Sequence, residues 1–182
     1  MVSVCRGVLS EAGFDPNLVT MVADIRDEPA TMSLLNHPDT AIIDFTGSPT
    51  FGNWIEKNCQ DALVYTETAG CNSVVIESTN DLPKMATAIA QSLCQASAQM
   101  CTSVQNIHIP AKGITVNGQP VSFDDVAKAI VTEVDTLLAD AKHAAFLCGT
   151  LVTEDIYNTI TRFTQIGNDI GSILRQSKPY EN

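Results

Sequence analysis

Thr40-Ala41-Ile42-Ile43-Asp44-Phe45-Thr46-Gly47-Ser48-Pro49 decides the architecture. The apolar residues Ala41, Ile42, Ile43 and Phe45 predict a strand over Thr40–Phe45, and Gly47-Ser48-Pro49 breaks it. Ser48 is a good N-cap and Pro49 a good first helical residue. The helix that follows carries Phe51, Trp54 and Ile55 on one side. Upstream, Leu18–Val22 predicts a short buried strand, and Asp27-Glu28-Pro29 opens a helix carrying Met32, Leu34 and Leu35. Downstream, Ala62–Thr66 predicts another strand. An alternation of strand and helix implies a parallel sheet with crossover helices, hence an α/β fold.

Further out the signals are mixed. Val4, Val8, Leu9 and Ala12 mark a helical face over residues 3–13, with Gly13 as its stop. Ser73–Glu77 predicts a strand whose run Val74-Val75-Ile76 implies burial on both faces. Asn80-Asp81 caps a helix with Pro83 in its first turn and an apolar stripe at Leu82, Met85, Ala86, Ile89, Ala90 and Leu93. That helix ends near Ala96-Ser97. Val104–Ile109 alternates as a strand and Pro110 closes it. Residues 111–121, with Gly113, Gly118 and Pro120, predict a loop or small hairpin. Ser122–Asp125 forms a capping box for a helix to about Ala139, and a further helix spans about 153–166. The tail from Lys178 to Asn182 should fray.

Composition narrows the classes. With 182 residues, 45% of them hydrophobic, the chain can bury a core, so global disorder is a poor description. The net charge of −11 opposes nucleic acid as a partner, since a phosphate backbone is repelled. No run reaches the length of a transmembrane helix, and the first residues lack signal-peptide order, which gives a cytoplasmic expectation. Cysteines stand at 5, 59, 71, 94, 101 and 148, without a C-x-x-C pair, and the histidines are scattered. Free thiols and no metal site are expected.

Three stretches could carry chemistry. At Gly47-Ser48, free N–H groups and the positive end of a helix dipole face the carboxyl edge of a strand, where nucleotides bind in open sheets. Gly52 would let backbone and ligand approach closely. The alternative is an ordinary strand-to-helix turn. Glu67, among Thr66, Thr68, Ala69 and Gly70, is a general base if burial raises its pKa, and otherwise a solvated loop acid. Cys101 is a nucleophile or a small buried hydrophobe. It differs from the other five cysteines, which are read as buried filler, in lying past a helix end among Ser97, Gln99, Thr102 and Ser103. Polar neighbours and loop N–H groups there can stabilise a thiolate and an oxyanion.

Phe45-Thr46-Gly47-Ser48 followed by Gly52 resembles the F-T-G-S-x-x-x-G turn of the aldehyde dehydrogenase superfamily. Glu67-Thr68-Ala69-Gly70 stands at its E-L-G-G, and Ala98-Gln99-Met100-Cys101 at its G-Q-x-C. The variant spellings, with Gln105-Asn106-Ile107, look most like the aldehyde dehydrogenases of phenylacetic acid degradation. The resemblance implies a three-layer sheet with flanking helices and parts of two domains. Residues 1–66 would close an NAD(P)-binding Rossmann-like domain, and 67–182 would open the catalytic thiol domain. It further implies that Cys101 attacks an aldehyde, that Glu67 activates water, and that Gly47, Ser48 and Gly52 cradle NAD or NADP. A small aldehyde as substrate follows from the same likeness, and the apolar surface left by cutting a two-domain protein makes a homo-oligomer the expectation.

Two departures stand out: Thr68-Ala69 replaces Leu-Gly, and Ala98 replaces a Gly, the milder change of the two. The family's N-P-W-x-x-P segment, adenosine-side lysine strand and E-x-F-G-P segment do not occur, and its members run to well over twice this length. The expectation is therefore an internal piece with little turnover of its own. A non-catalytic module, or a thiol acyltransferase or thioesterase without nicotinamide, remains the alternative.

Overall fold

The computed structural model describes residues 1–25 and 29–178. The chain divides into two compact units, Met1–Ala69 and Gly70–Asn182. The division falls after Ala69 because the last strand of the first unit runs through Thr68.

In the first unit, α1 spans Val2–Glu11. Gly13, at φ +79°, ends it in the left-handed conformation that glycine adopts freely. The Gly13 N–H donates to the Ser10 carbonyl and the Phe14 N–H to the Leu9 carbonyl, the Schellman closure expected of such an end. The next prediction fails. Leu18–Val22 forms no strand: Leu18 ends a short 3-10 turn, and Leu18, Met21 and Val22 are exposed. An apolar run becomes a strand only when a neighbour completes its ladder, and no described strand pairs with this one. The proposed helix start at Asp27-Glu28 lies outside the described residues. Helix α2 covers Ala30–Leu35, and the Asp24 carboxylate accepts from the Ala30 and Thr31 N–H groups at its start. The hydrogen bond from the Thr31 side chain, with help from these backbone donors, holds that carboxyl below its usual pKa.

The strand-turn-helix around Gly47 forms as expected. β1 is Ile42–Gly47, α3 is Pro49–Asn58 and β2 is Leu63–Thr68. β1 and β2 are parallel, with Ile43 opposite Val64, Thr46 opposite Glu67 and Gly47 opposite Thr68. Ile43, Ile55 and Cys59 form the buried centre, against which Phe45, Phe51, Trp54 and Val64 pack. Phe51 stacks on Trp54 at 5.8 Å and meets Phe45 edge-on at 5.3 Å.

The second unit holds β3 (Asn72–Val75), β4 (Ser78–Thr79), α4 (Leu82–Cys94), β5 (Val104–His108), β6 (Ile114–Val116), β7 (Gln119–Val121) and α5 (Phe123–Leu137). Two further helices, α6 (Ala141–Cys148) and α7 (Glu154–Ile170), follow. β3 runs parallel to β5 and β4 parallel to β6, while β6 and β7 form an antiparallel hairpin. Asn117 and Gly118, both at positive φ, make its turn. Ile76, Ala86, Ile89, Ile114, Val126 and Ile130 form the core, with the α4 stripe against α5. Capping follows the sequence: Asp81 accepts from the Lys84 N–H, and Ser122 accepts from the Asp125 N–H while donating to its carboxylate. Burial of β3 on both faces is not observed. Val75 is 76% exposed, because the strand alternates half-buried and exposed positions. Sequence reasoning also passed over α6, which Asp140 caps by accepting from the His143 N–H.

Candidate active site

The turn between β1 and α3 is built by local chemistry. The Ser48 hydroxyl accepts from the Phe51 N–H at 3.3 Å, and Pro49 has no N–H to satisfy. The Thr50 N–H, by contrast, is left without a partner among the described residues. A hydroxyl and a free N–H at the positive end of a ten-residue helix are an anion cradle. The glycines serve packing more directly than ligand access. A Cβ on Gly52 would sit 2.6 Å from the Thr68 methyl, and one on Gly47 would sit 2.6 Å from the Phe45 ring. Gly52 is buried against β2, so the missing side chain serves the packing of α3 on that strand.

Glu67 is the penultimate residue of β2, not a loop residue beyond it, and it is exposed. Its neighbour Thr66 donates to Glu56. The Ala69 N–H donates to the Gly47 carbonyl at 3.2 Å, so the end of β2 is tied to the Gly47-Ser48 turn. Glu67 and Gly47-Ser48 thus share the carboxyl ends of adjacent parallel strands, the edge where such sheets take ligands.

Cys101, in the second unit, is exposed in the turn between α4 and β5. The approach to it is strained. Ala96, Ser97 and Ala98 hold φ of +50°, +55° and +62°, left-handed values that cost a non-glycine residue roughly 1–2 kcal/mol each. Side chains hold this segment in place. Ser97 donates to the Cys148 carbonyl at 3.1 Å. Gln99 donates to the carbonyls of Ala96 and Thr150 and accepts from the Val152 N–H. The Ala98 substitution is therefore not the milder departure: the backbone there asks for glycine. Ala98→Gly should raise the stability of the chain by about 0.5–1 kcal/mol, read from the urea midpoint. No glycine marks residues 96–98, so the left-handed backbone there has no signal in the sequence, although the end of the helix does.

The other cysteines differ in their surroundings. Burial pushes the Cys94 thiol up, and nearby Cys148 adds to it, which keeps Cys94 protonated and inert. Cys59 is also buried, but Cys71 is exposed and Cys5 and Cys148 are half-buried, so filler does not describe all five. No described helix is long and apolar enough to cross a membrane.

The sequence profile of the aldehyde dehydrogenase family matches residues 2–177. The chain belongs to that family. Among solved structures, an NAD-dependent aldehyde dehydrogenase from Burkholderia multivorans is 40% identical with a TM-score of 0.83, covering 97% of this chain and 31% of that one. A 1-pyrroline-5-carboxylate dehydrogenase from Thermus with bound NAD, 21% identical, shares the fold at a TM-score of 0.73 over 97% of this chain and 34% of that one. Among curated proteins, the 1-pyrroline-5-carboxylate dehydrogenase of Geobacillus kaustophilus is 25% identical, over 92% of this chain and 32% of its own length. The geranial dehydrogenase of Castellaniella defragrans is 25% identical, over 87% and 31% respectively. The chain thus spans about a third of the length of the relatives it matches, and its α/β architecture is theirs.

Proposed function

We propose that this chain carries the thiol and the phosphate turn of an NAD(P)-dependent oxidation of an aldehyde to an acid. The observation that supports it most is Cys101, exposed in a turn fixed by its neighbours and with its own N–H unspent among the described residues. The Cys101 thiolate attacks the carbonyl carbon, and the aldehyde oxygen becomes an oxyanion that the Cys101 N–H receives. When bound, NAD(P)+ would supply the hydride acceptor for oxidation of this thiohemiacetal to a thioester. Glu67 takes a proton from water, whose hydroxide attacks the thioester and frees the acid from the sulfur. The Ser48 hydroxyl and the Thr50 N–H would hold the pyrophosphate, and Gly47 and Gly52 keep that turn against β2. The unspent donors on α3 fit such a group.

Residues 1–66 act here as cofactor domain and 67–182 as thiol domain. The spellings at 67–70 and 98–102 favour an aromatic aldehyde of phenylacetate catabolism. A cytoplasmic homo-oligomer belongs to the same reading, with apolar surface such as Val4, Val8 and Phe14 exposed for association. Mapping iodoacetamide adducts from pH 5 to 9 tests the thiol. Cys101 should label ahead of exposed Cys71, and added NAD or NADP should slow Cys101 alone. Equal labelling of the exposed thiols favours a non-catalytic module, and selective labelling without cofactor protection favours a thiol acyltransferase.

A further inference from the structure

We propose that Asn72 is a positioning residue for Cys101, resting on the reading of Cys101 as nucleophile. Asn72 opens β3, and its amide nitrogen donates to the Cys101 carbonyl at 2.6 Å and to the Ser103 carbonyl at 2.9 Å. An amide has two N–H hydrogens, so both are used and both carbonyls are drawn to one side of the turn. The ladder slips beside it: Asn72 pairs with Val104, but Ser73 pairs with Asn106. Such a bulge re-aims the chain next to it.

The remaining peptide groups of the turn fix the consequence. The Ser103 N–H donates to the Met100 carbonyl at 3.0 Å. A trans peptide points its C=O and N–H in opposite directions. With the Met100 carbonyl turned into the loop, the Cys101 N–H is turned out of it. Ser103 is 2% exposed, so the far side of the turn is embedded in the unit. Cys101 is left exposed, with its N–H unpaired among the described residues and its carbonyl occupied. A carbonyl oxygen released by loss of Asn72 could swing toward the aldehyde and repel the developing oxyanion. Asparagine suits the position by its chemistry: aspartate there would present only acceptors to two carbonyl oxygens, and alanine would present nothing.

Acylation and alkylation of the same thiol separate positioning from bulk folding. Attack on 4-nitrophenyl acetate passes through an oxyanion, whereas displacement of iodide from iodoacetamide does not. Both reactions can be followed on the 182-residue chain by mass spectrometry of the Cys101 peptide, with Cys71 as internal reference. Asn72→Ala and Asn72→Asp should each slow acylation of Cys101 about tenfold or more while alkylation changes less than about threefold, on the scale of weakening one oxyanion donor. An unchanged ratio of the two rates in a folded variant overturns the inference. So does a parallel fall of both rates with loss of cooperative unfolding in both variants, which would make Asn72 a scaffold residue only. If Cys101 of the unaltered chain acylates no faster than Cys71, the nucleophile itself is wrong and the inference falls with it.

Discussion

Cys101→Ala should abolish the burst of 4-nitrophenol from 4-nitrophenyl acetate, because no nucleophile is left there to take the acetyl group. Stability should hardly move. Cys101 is exposed, so the unfolding midpoint should shift by less than about 0.5 kcal/mol. That pairing, a large chemical loss with a negligible structural one, is what separates a presented nucleophile from a packed thiol. Cys71→Ala is the control: the residue is also exposed, but it lies ahead of β3 and outside the pinned turn, so the burst should survive. Cys94→Ser should behave in the opposite way, losing stability because a hydroxyl replaces a buried thiol in an apolar setting, with the burst kept. A burst that follows Cys71 and not Cys101 would sink the proposed assignment.

The elements that carry their own local signals were legible. The Ser48, Asp81 and Ser122 caps, the Pro49 start and the α4 stripe each state their structure within a few residues of chain. Their neighbours in space then agree with them, as in the core of Ile76, Ala86, Ile89 and Val126. What failed depended on distant partners. Leu18–Val22 has the composition of a strand but no described partner for its ladder. Val75 has the composition of a two-sided core position but one open face. The candidate site shows the same division. Ser48 and Gly47 were placed correctly because the turn is local, and Cys101 was expected in a loop because the α4 period stops before it. The left-handed run at 96–98 carries no glycine to announce it, and the Gln99 clamp on Thr150 and Val152 and the Asn72 clamp are contacts across 29 to 53 residues of sequence. Asparagine and glutamine gave no clue to that use, since both are ordinary loop residues by composition.

Gly113→Ala should cost about 3–5 kcal/mol, the range that marks a change with a specific steric cause. Gly113 precedes β6 at φ +87°, and its N–H donates to the Pro110 carbonyl at 2.8 Å. A Cβ built there would lie 2.0 Å from the Val121 carbonyl oxygen and 2.9 Å from the Ser122 Cα. Both atoms are backbone, so no rotamer change relieves the overlap. The segment they belong to ends β7 and caps α5, whose Val126 and Ile130 are core residues. Relief of the clash must therefore shift the hairpin, the helix cap or both. Gly118→Ala isolates the conformational part: Gly118 has φ +77° but nothing within 4 Å of an added Cβ. It should cost only about 1 kcal/mol, the ordinary penalty of a left-handed alanine. Urea unfolding of the two variants separates the terms, because their difference reports steric overlap at nearly equal backbone strain. Equal losses at the two positions would mean that the hairpin yields easily, and that β6 and β7 are not rigidly keyed to the start of α5.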